Sequence, residues 1–418
     1  MTYRALTVVG VMLALLVWLV GEIAAAHPLR FGDAGTVDFV EYWAANRVAD
    51  AGGNPYDPAQ LVIAEEVAGR ADPVPLMMWN PPWLLVLMRP ALRAPFGIAA
   101  ARWMGMNIAL LVLSTLLVAS GFRRGALAAA DLVPAVLAGV FSIPMTITLQ
   151  LGQVSLVLLL GVSLLYWALQ HRYDVLAGAA LALLSLKPHL FLLVGILVAI
   201  VIIRERRWRI VGGAVVVLGA LCAASVLQAP SILTDWYDGL RNRPSGAQAA
   251  LDWRTPNLPS VVRALLSRGG ASSPGWPLTV IPAVAAVAAA WALWRAAARQ
   301  QHDQHDQHDQ RGIIALLPPV LCLSVFVAPF GWTFDHVVLT VPQVIIFLRA
   351  FSEPLPASRR WLLVALTLLC HAGLVAQSML TRNDYLGFWW FPPAMLGVWL
   401  LAGTVERTAF ARPLSGTP

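Results

Sequence analysis

Apolar runs close to the length of a bilayer crossing recur from one end of this chain to the other, and that recurrence leaves few folds open. A hydrocarbon core about 30 Å thick takes roughly 20 apolar residues of α-helix, because backbone polar groups inside it must be bonded within the protein. Such runs are read at Ala5 to Ile23, Ala99 to Ser120, Leu132 to Leu149, Ser155 to Leu169, Val175 to Leu186 and Leu190 to Ile203. Others follow at Val211 to Val226, Pro277 to Arg295, Ile313 to Phe330, Val337 to Phe351, Trp361 to Ala376 and Phe388 to Gly403. With 59% hydrophobic and only 12% charged residues, the composition excludes an ordinary soluble domain. The expected fold is therefore an all-α polytopic membrane protein of about 12 transmembrane helices, one integral-membrane domain over residues 1–412 with a tail at 413–418. The stretch from Pro81 to Pro95 is too short to cross, carries Arg89 and Arg93 and contains Pro90, so a re-entrant or interfacial hairpin is expected there. Arg4, an apolar core and the sequence EIAAAHP resemble a signal peptide. An uncleaved anchor fits the charge pattern better, and a cut after Ala26 stays open.

Orientation follows from the densest cation cluster, Arg204, Arg206, Arg207 and Arg209, which belongs on the cytoplasmic side. Alternation then places Arg123, Arg124, Arg172, the linker 299–312 with its QHDQHDQHDQ repeat, Arg359, Arg360, Arg407 and Arg412 inside as well. The net charge of +7 is accounted for by these loops and anionic headgroups, without a nucleic-acid partner. The same alternation gathers the unusual polar segments outside: a first outer loop at 24–82, the turns at Gln153 and Lys187, a second long loop at 228–275, and PFGWTFDH. Polar groups concentrated at one interface are what an enzyme acting on a lipid-borne substrate requires. Cys222, Cys322 and Cys370 lie within predicted spans and read as small buried residues. No CxxC-type set occurs, and His302, His305 and His308 either hold a divalent metal or belong to a solvated linker, the reading that their repeat's composition favours; no essential metal or other cofactor is expected.

The first outer loop carries DFVEYWAANRVADAGGNPYD. Asp38 followed three residues later by Glu41 fits a helix N-cap with a capping box. An ionised Asp38 facing a membrane-level cleft fits a general base equally well. Phe39, Tyr42, Trp43 and Val48 recur at helical spacing, which predicts an interfacial helix with its aromatic face toward lipid or substrate. Gly52, Gly53, Asn54, Pro55 and Tyr56 then form a turn. Lys187 is the only lysine among 29 basic residues and ends an apolar run beside Pro188, where it either holds a phosphate or snorkels. Asp335 and His336, after Trp332, stand where a helix restarts on the outer side, and His336 is placed to donate to a phosphate or a sugar. Gln153 reads as a helix-start residue or a further polar contact. Trp236, Trp253 and Trp276 on the second long loop are interfacial anchors or glycan-stacking platforms.

The order of these motifs resembles the bacterial polyprenyl-phosphate-dependent glycosyltransferases of family 87, α-mannosyltransferases of the GT-C type. After the Asp38 segment come WNPPWLLVLMRPALRAPFG, LGQVSLVLLLGVSLL, LAGAALALLSLKPHL before RERRWR, NLPSVVRALL and VAPFGWTFDHVVLTVPQ. The resemblance implies a GT-C bundle in the bacterial plasma membrane with an outward-facing active site. It implies inverting transfer of a hexose, mannose first, from a polyprenyl-phosphate donor to a glycolipid or envelope glycan. Asp38 matches the acidic base of the first outer loop, Lys187 and His336 match positions facing the donor phosphate or sugar, and Gln153 and Asn257 match motif residues of less defined role. Arg254, with Arg241 and Arg243, adds cations near the donor. Tyr42, Trp43, Asn54, Tyr56, Trp332 and Asp335 are the acceptor-side or interfacial candidates. A lipid or glycolipid flippase, or a noncatalytic envelope-assembly protein, remains the alternative, although no inverted repeat is visible and the ionisable residues lie on loops and helix ends.

Overall fold

The structure is a computed structural model describing residues 29–123, 129–140, 142–242, 254–267, 274–302, 312–353, 355–381 and 385–409. Its regular elements there are all helical. In chain order they are α1 (Phe39–Asp50), α2 (Pro58–Val67), α3 (Trp83–Leu92), α4 (Phe96–Arg123), α5 (Ala129–Val140), α6 (Ile143–Leu151), α7 (Ser155–Gln170), α8 (Asp174–Leu184) and α9 (Leu192–Glu205). They continue as α10 (Arg209–Gln228), α11 (Ile232–Asn242), α12 (Leu258–Leu266), α13 (Pro277–His302), α14 (Leu317–Val327), α15 (Thr340–Ser352), α16 (Ala357–Thr381) and α17 (Phe391–Ala409). Short 3-10 turns lead into α9, α14, α15 and α17.

Among the described residues, seven helical stretches are long and apolar enough to cross a membrane: Phe96–Arg123, Pro188–Glu205, Arg209–Gln228, Pro277–Arg299, Thr333–Phe351, Ala357–Leu380 and Tyr385–Ala402. Their outward faces are apolar, with Val215 and Val216 on α10 at 65% and 70% exposure, as lipid contact demands. The chain is a multi-pass membrane protein. The described residues alone do not supply the expected count of about 12. The first expected span lies outside the described residues, and Leu132 to Leu149 is divided between α5 and α6. The 16 residues of α7 and 11 of α8 rise only about 24 Å and 16 Å, short of the core thickness. The Pro81–Pro95 hairpin is also replaced: α3 is a single ten-residue helix with Pro90 inside it, and Leu84, Leu85 and Met88 are fully buried.

The chain forms two compact units. The first takes in the described residues of 1–117, 144–188 and 207–253. Within it α8 packs between α7 and α10, while α1 packs on α2 and α3. The aromatic stripe of α1 is core, not an interfacial face: Phe39 and Tyr42 are fully buried and Trp43 is 2% exposed. Phe39 stacks on Trp103 at 6.5 Å, Trp43 meets Phe96 edge-on at 5.5 Å, and the Trp43 indole donates to the Ala94 carbonyl at 3.0 Å. The same 3.6-residue period serves a lipid face or a protein core, and here protein partners occupy it.

The second unit holds the described residues of 118–143, 189–206 and 254–418. Its centre is α15, packed by α5, α16 and α17. The Gln343 amide buried there is satisfied on both sides, donating to the Ala138 carbonyl at 2.7 Å and bonding the His371 Nε2 at 2.8 Å.

Tight backbone approach sets the α8 and α10 pair. A Cβ on Gly178 would collide with the Ile210 carbonyl and the Ala214 amide, and one on Gly213 with the Val175 carbonyl. Gly178→Ala is therefore expected to force these helices apart and lower stability by about 1–3 kcal/mol. Thermal unfolding of the detergent-solubilised protein measures it, and an unchanged midpoint would refute the close contact.

Candidate active site

The first unit builds a polar cluster around Asp38 from segments far apart in sequence. The loop before α1 docks onto the C-terminus of α6, where the Gly35 N–H donates to the Gln150 carbonyl at 2.7 Å and the Asp38 N–H to the Leu151 carbonyl at 2.8 Å. Two of the carbonyls that end a helix without internal partners are thus satisfied. Gly152 then turns the chain with φ +77°, and a Cβ there would strike the Gly35 carbonyl, so only glycine fits. The Trp103 indole donates to the Gly152 carbonyl at 2.8 Å and fixes the turn from behind. The next side chain, Gln153, is thereby delivered to Asp38.

Asp38 occupies the N-cap position of α1, yet its side chain makes no cap hydrogen bond, and its backbone lies in the helical region. The capping-box expectation fails. Its carboxylate instead accepts from Gln153 Nε2 at 2.8 Å, while Gln153 Oε1 accepts from the Tyr42 hydroxyl at 2.9 Å. Burial pushes the Asp38 carboxyl above its usual range, and the Gln153 bond and the charge of Lys187 hold it back. Glu41, one turn on, is pushed up to about 8, first by burial, then by the neighbouring Asp38 charge. Asp38, Glu41 and Lys187 are each partly exposed.

A tryptophan and asparagine motif positions Lys187. Asn80 Nδ2 donates to the Leu186 carbonyl at 3.4 Å and the Trp83 indole to Ser185 Oγ at 3.1 Å, so WNPPW clamps the turn that ends α8. Tyr56, buried, donates its hydroxyl to the Asn80 carbonyl at 3.0 Å. Asn54 Oδ1 accepts the Tyr56 N–H at 2.8 Å and Gly52 has φ +76°, the turn expected there. Behind the clamp, the Trp236 indole donates to the Trp79 carbonyl at 3.4 Å and meets Trp83 edge-on. Glu65, fully buried, is held by Arg70 at 2.6 Å and by the Leu76 N–H at 3.0 Å, bracing the loop between α2 and α3.

The second unit holds the other candidates. Asp335 is buried and accepts the Trp332 N–H at 3.0 Å. His336, 1% exposed, bonds the Pro256 carbonyl and stacks on Phe391 at 5.9 Å. Trp332 packs edge-on against Tyr385 at 5.5 Å. Arg254 is exposed. Asn257 is the N-cap of α12, its Oδ1 accepting from the Ser260 N–H at 3.1 Å and its Nδ2 donating to Thr255 Oγ1 at 2.7 Å. It is buried to 1% exposure in that capping role. Asn followed by Leu and Pro carried that signal in the sequence. Arg243, Trp253, His305 and His308 lie outside the described residues.

The model of glycosyltransferase family 87 matches residues 79–306, more than half of the 418-residue chain. The chain belongs to glycosyltransferase family 87. It is accordingly a membrane glycosyltransferase, with a sugar donor and an acceptor as substrates. The match takes in WNPPW, Gln153, Lys187, Arg254 and Asn257, while Asp38 precedes it and Trp332, Asp335 and His336 follow it. No curated protein and no solved structure matches the chain.

Two substitutions probe this assembly. Gly152→Ala forces a left-handed residue to carry a side chain, at about 1–2 kcal/mol before its clash with Gly35 is counted, and a smaller loss on thermal unfolding would refute the docking. Asn257→Ala is expected to lower stability by about 1 kcal/mol and Asn257→Asp to restore it, since either oxygen caps a helix. Sugar transfer lost in the stable Asp variant would return Asn257 to the substrate contacts.

Proposed function

We propose that this family 87 glycosyltransferase moves a hexose, mannose first, from a polyprenyl-phosphate carrier to a lipid-linked or envelope glycan outside the bacterial plasma membrane. The observation that carries the reading is an Asp38 carboxylate directed away from its own helix, held by Gln153 and within the field of the only lysine.

The chemistry follows from those groups. Ionised Asp38 takes the proton of an acceptor hydroxyl as that oxygen attacks the anomeric carbon. The bond from that carbon to the phosphate oxygen breaks on the opposite face, with inversion, and the electron pair leaves with polyprenyl phosphate. Partial burial makes Asp38 a stronger base than a solvated aspartate, and Gln153 and Lys187 favour its charged form. Lys187, a compact ammonium, meets the charge that develops on the departing phosphate. A lipid monophosphate leaves readily once that charge is met, so no nucleotide-binding fold is required.

The test is transfer of radiolabelled mannose from polyprenyl-phosphate mannose to glycolipids in membrane vesicles, wild type against Asp38→Asn at matched expression. Asn keeps an oxygen to accept from Gln153, so folding is retained while transfer is expected to fall at least about 100-fold. Equal labelling in both, above a gene-deleted background, would remove Asp38 as base. Labelling in neither would turn the search to other sugars and then to a carrier activity.

A further inference from the structure

We propose that a cavity at the C-terminal end of α1 seats the phosphate headgroup of an anionic membrane phospholipid, at a site separate from the Asp38 cluster. About 14 Å of helix lies between Arg47 at that end and Asp38 at the other. The cavity encloses about 600 Å³, within the range of small-ligand sites, and is walled by the ends of α1 and α2 and by the bend from α3 into α4. Arg47 and Arg93 both line it, and both are exposed. Neither has a carboxylate partner among the described residues. The acid on the same wall, Asp50, is already engaged by Arg89 at 3.5 Å and by the Gln228 amide at 3.1 Å. Two guanidinium charges are thus left unbalanced. Arg47 lies over the Trp43 ring, 5.1 Å from its centroid, a stacked pose that leaves the in-plane N–H donors of a guanidinium for paired oxygens.

Two membrane-crossing helices end at this cavity, which puts it at headgroup depth. The spanning helix α4 begins at Phe96, itself a wall residue, and α10 ends at Gln228, whose amide bonds Asn46 at 3.0 Å as well as Asp50. Arginines at such a boundary lie level with lipid phosphates. The α2 wall is apolar and faces outward: Val67 is 67% exposed and Ile63, one turn earlier, 65%. Unbalanced cations beside an outward apolar stripe complement a phosphate joined to acyl chains, whereas a free sugar gains nothing from that stripe. Guanidinium forks match phosphate oxygens and repel a second cation, so a headgroup without an ammonium of its own is preferred. The bound lipid holds α1 by the end opposite Asp38. None of this depends on Asp38 acting as base.

The test takes the full-length protein in detergent and measures lipid binding by native mass spectrometry, without turnover. Phosphatidylglycerol is expected to bind at least about tenfold more tightly than phosphatidylcholine of the same acyl chains. In the double variant Arg47→Gln with Arg93→Gln, shown monodisperse by gel filtration, phosphatidylglycerol affinity should fall about tenfold while that for phosphatidylcholine holds. A phosphatidylglycerol with a photoreactive headgroup should label the wild-type peptides around Ala51 and Leu92. Equal affinity for the two lipids, undiminished phosphatidylglycerol binding in the double variant, or labelling confined to other segments would each overturn the proposal. Displacement of the lipid by millimolar inorganic phosphate would overturn it too, in favour of a site for the free anion. Should the double variant fail to fold, the labelling pattern of the wild type decides alone.

Discussion

The contact between Gly35 and the turn at Gly152 is the constraint on which the site depends. Asp38 and Gln153 are 115 positions apart, and neither belongs to an element long enough to bring the other in. What joins them is backbone, two N–H groups of the loop before α1 given to the last carbonyls of α6, with both glycines at positive φ to permit the approach. Side chains larger than hydrogen at Gly152 would hold the two strands of chain apart, and Asp38 would then be free to cap its own helix.

A second clamp does for Lys187 what the glycine contact does for Asp38. WNPPW holds the Ser185 to Lys187 turn through an amide and an indole, and Tyr56 and Trp236 hold WNPPW in turn. Polar groups at the water boundary of a membrane protein have many conformations available, and rigid aromatic anchors with few torsions restrict them at small entropic cost. The aromatic residues of the first unit are thus largely structural, although they brace the turns that carry Gln153 and Lys187.

Much of this is legible in the residues alone. The apolar runs give a polytopic helical protein, the lone lysine and Asp38 stand out, and the glycine, asparagine and proline around Asn54 announce their turn. What is not legible shares one cause, that local spacing admits two readings when the deciding partner is distant. An acid pair at positions 38 and 41 satisfies a capping box and also shares a helix face, and only Gln153, from another segment, decides between them. The stripe of Phe39, Tyr42 and Trp43 has the period of an interfacial helix, while Phe96 and Trp103 make it core. The unbroken apolar runs around α7 and α8 likewise pass for spans, where the turns at Gly152 and Lys187 stop them short.

The arginine bias of the chain has a practical side. Because 28 of its 29 basic side chains are guanidinium groups, Lys187 is the sole side-chain primary amine in the protein, and it sits, half-buried, beside Asp38 and Glu41. Amine-selective acylation or Schiff-base chemistry, which ordinarily decorates dozens of surface lysines, has here one internal target. The native sequence thus comes with a single-address chemical reporter of the site, which an occupying phosphate would shield and an empty cleft would leave reactive.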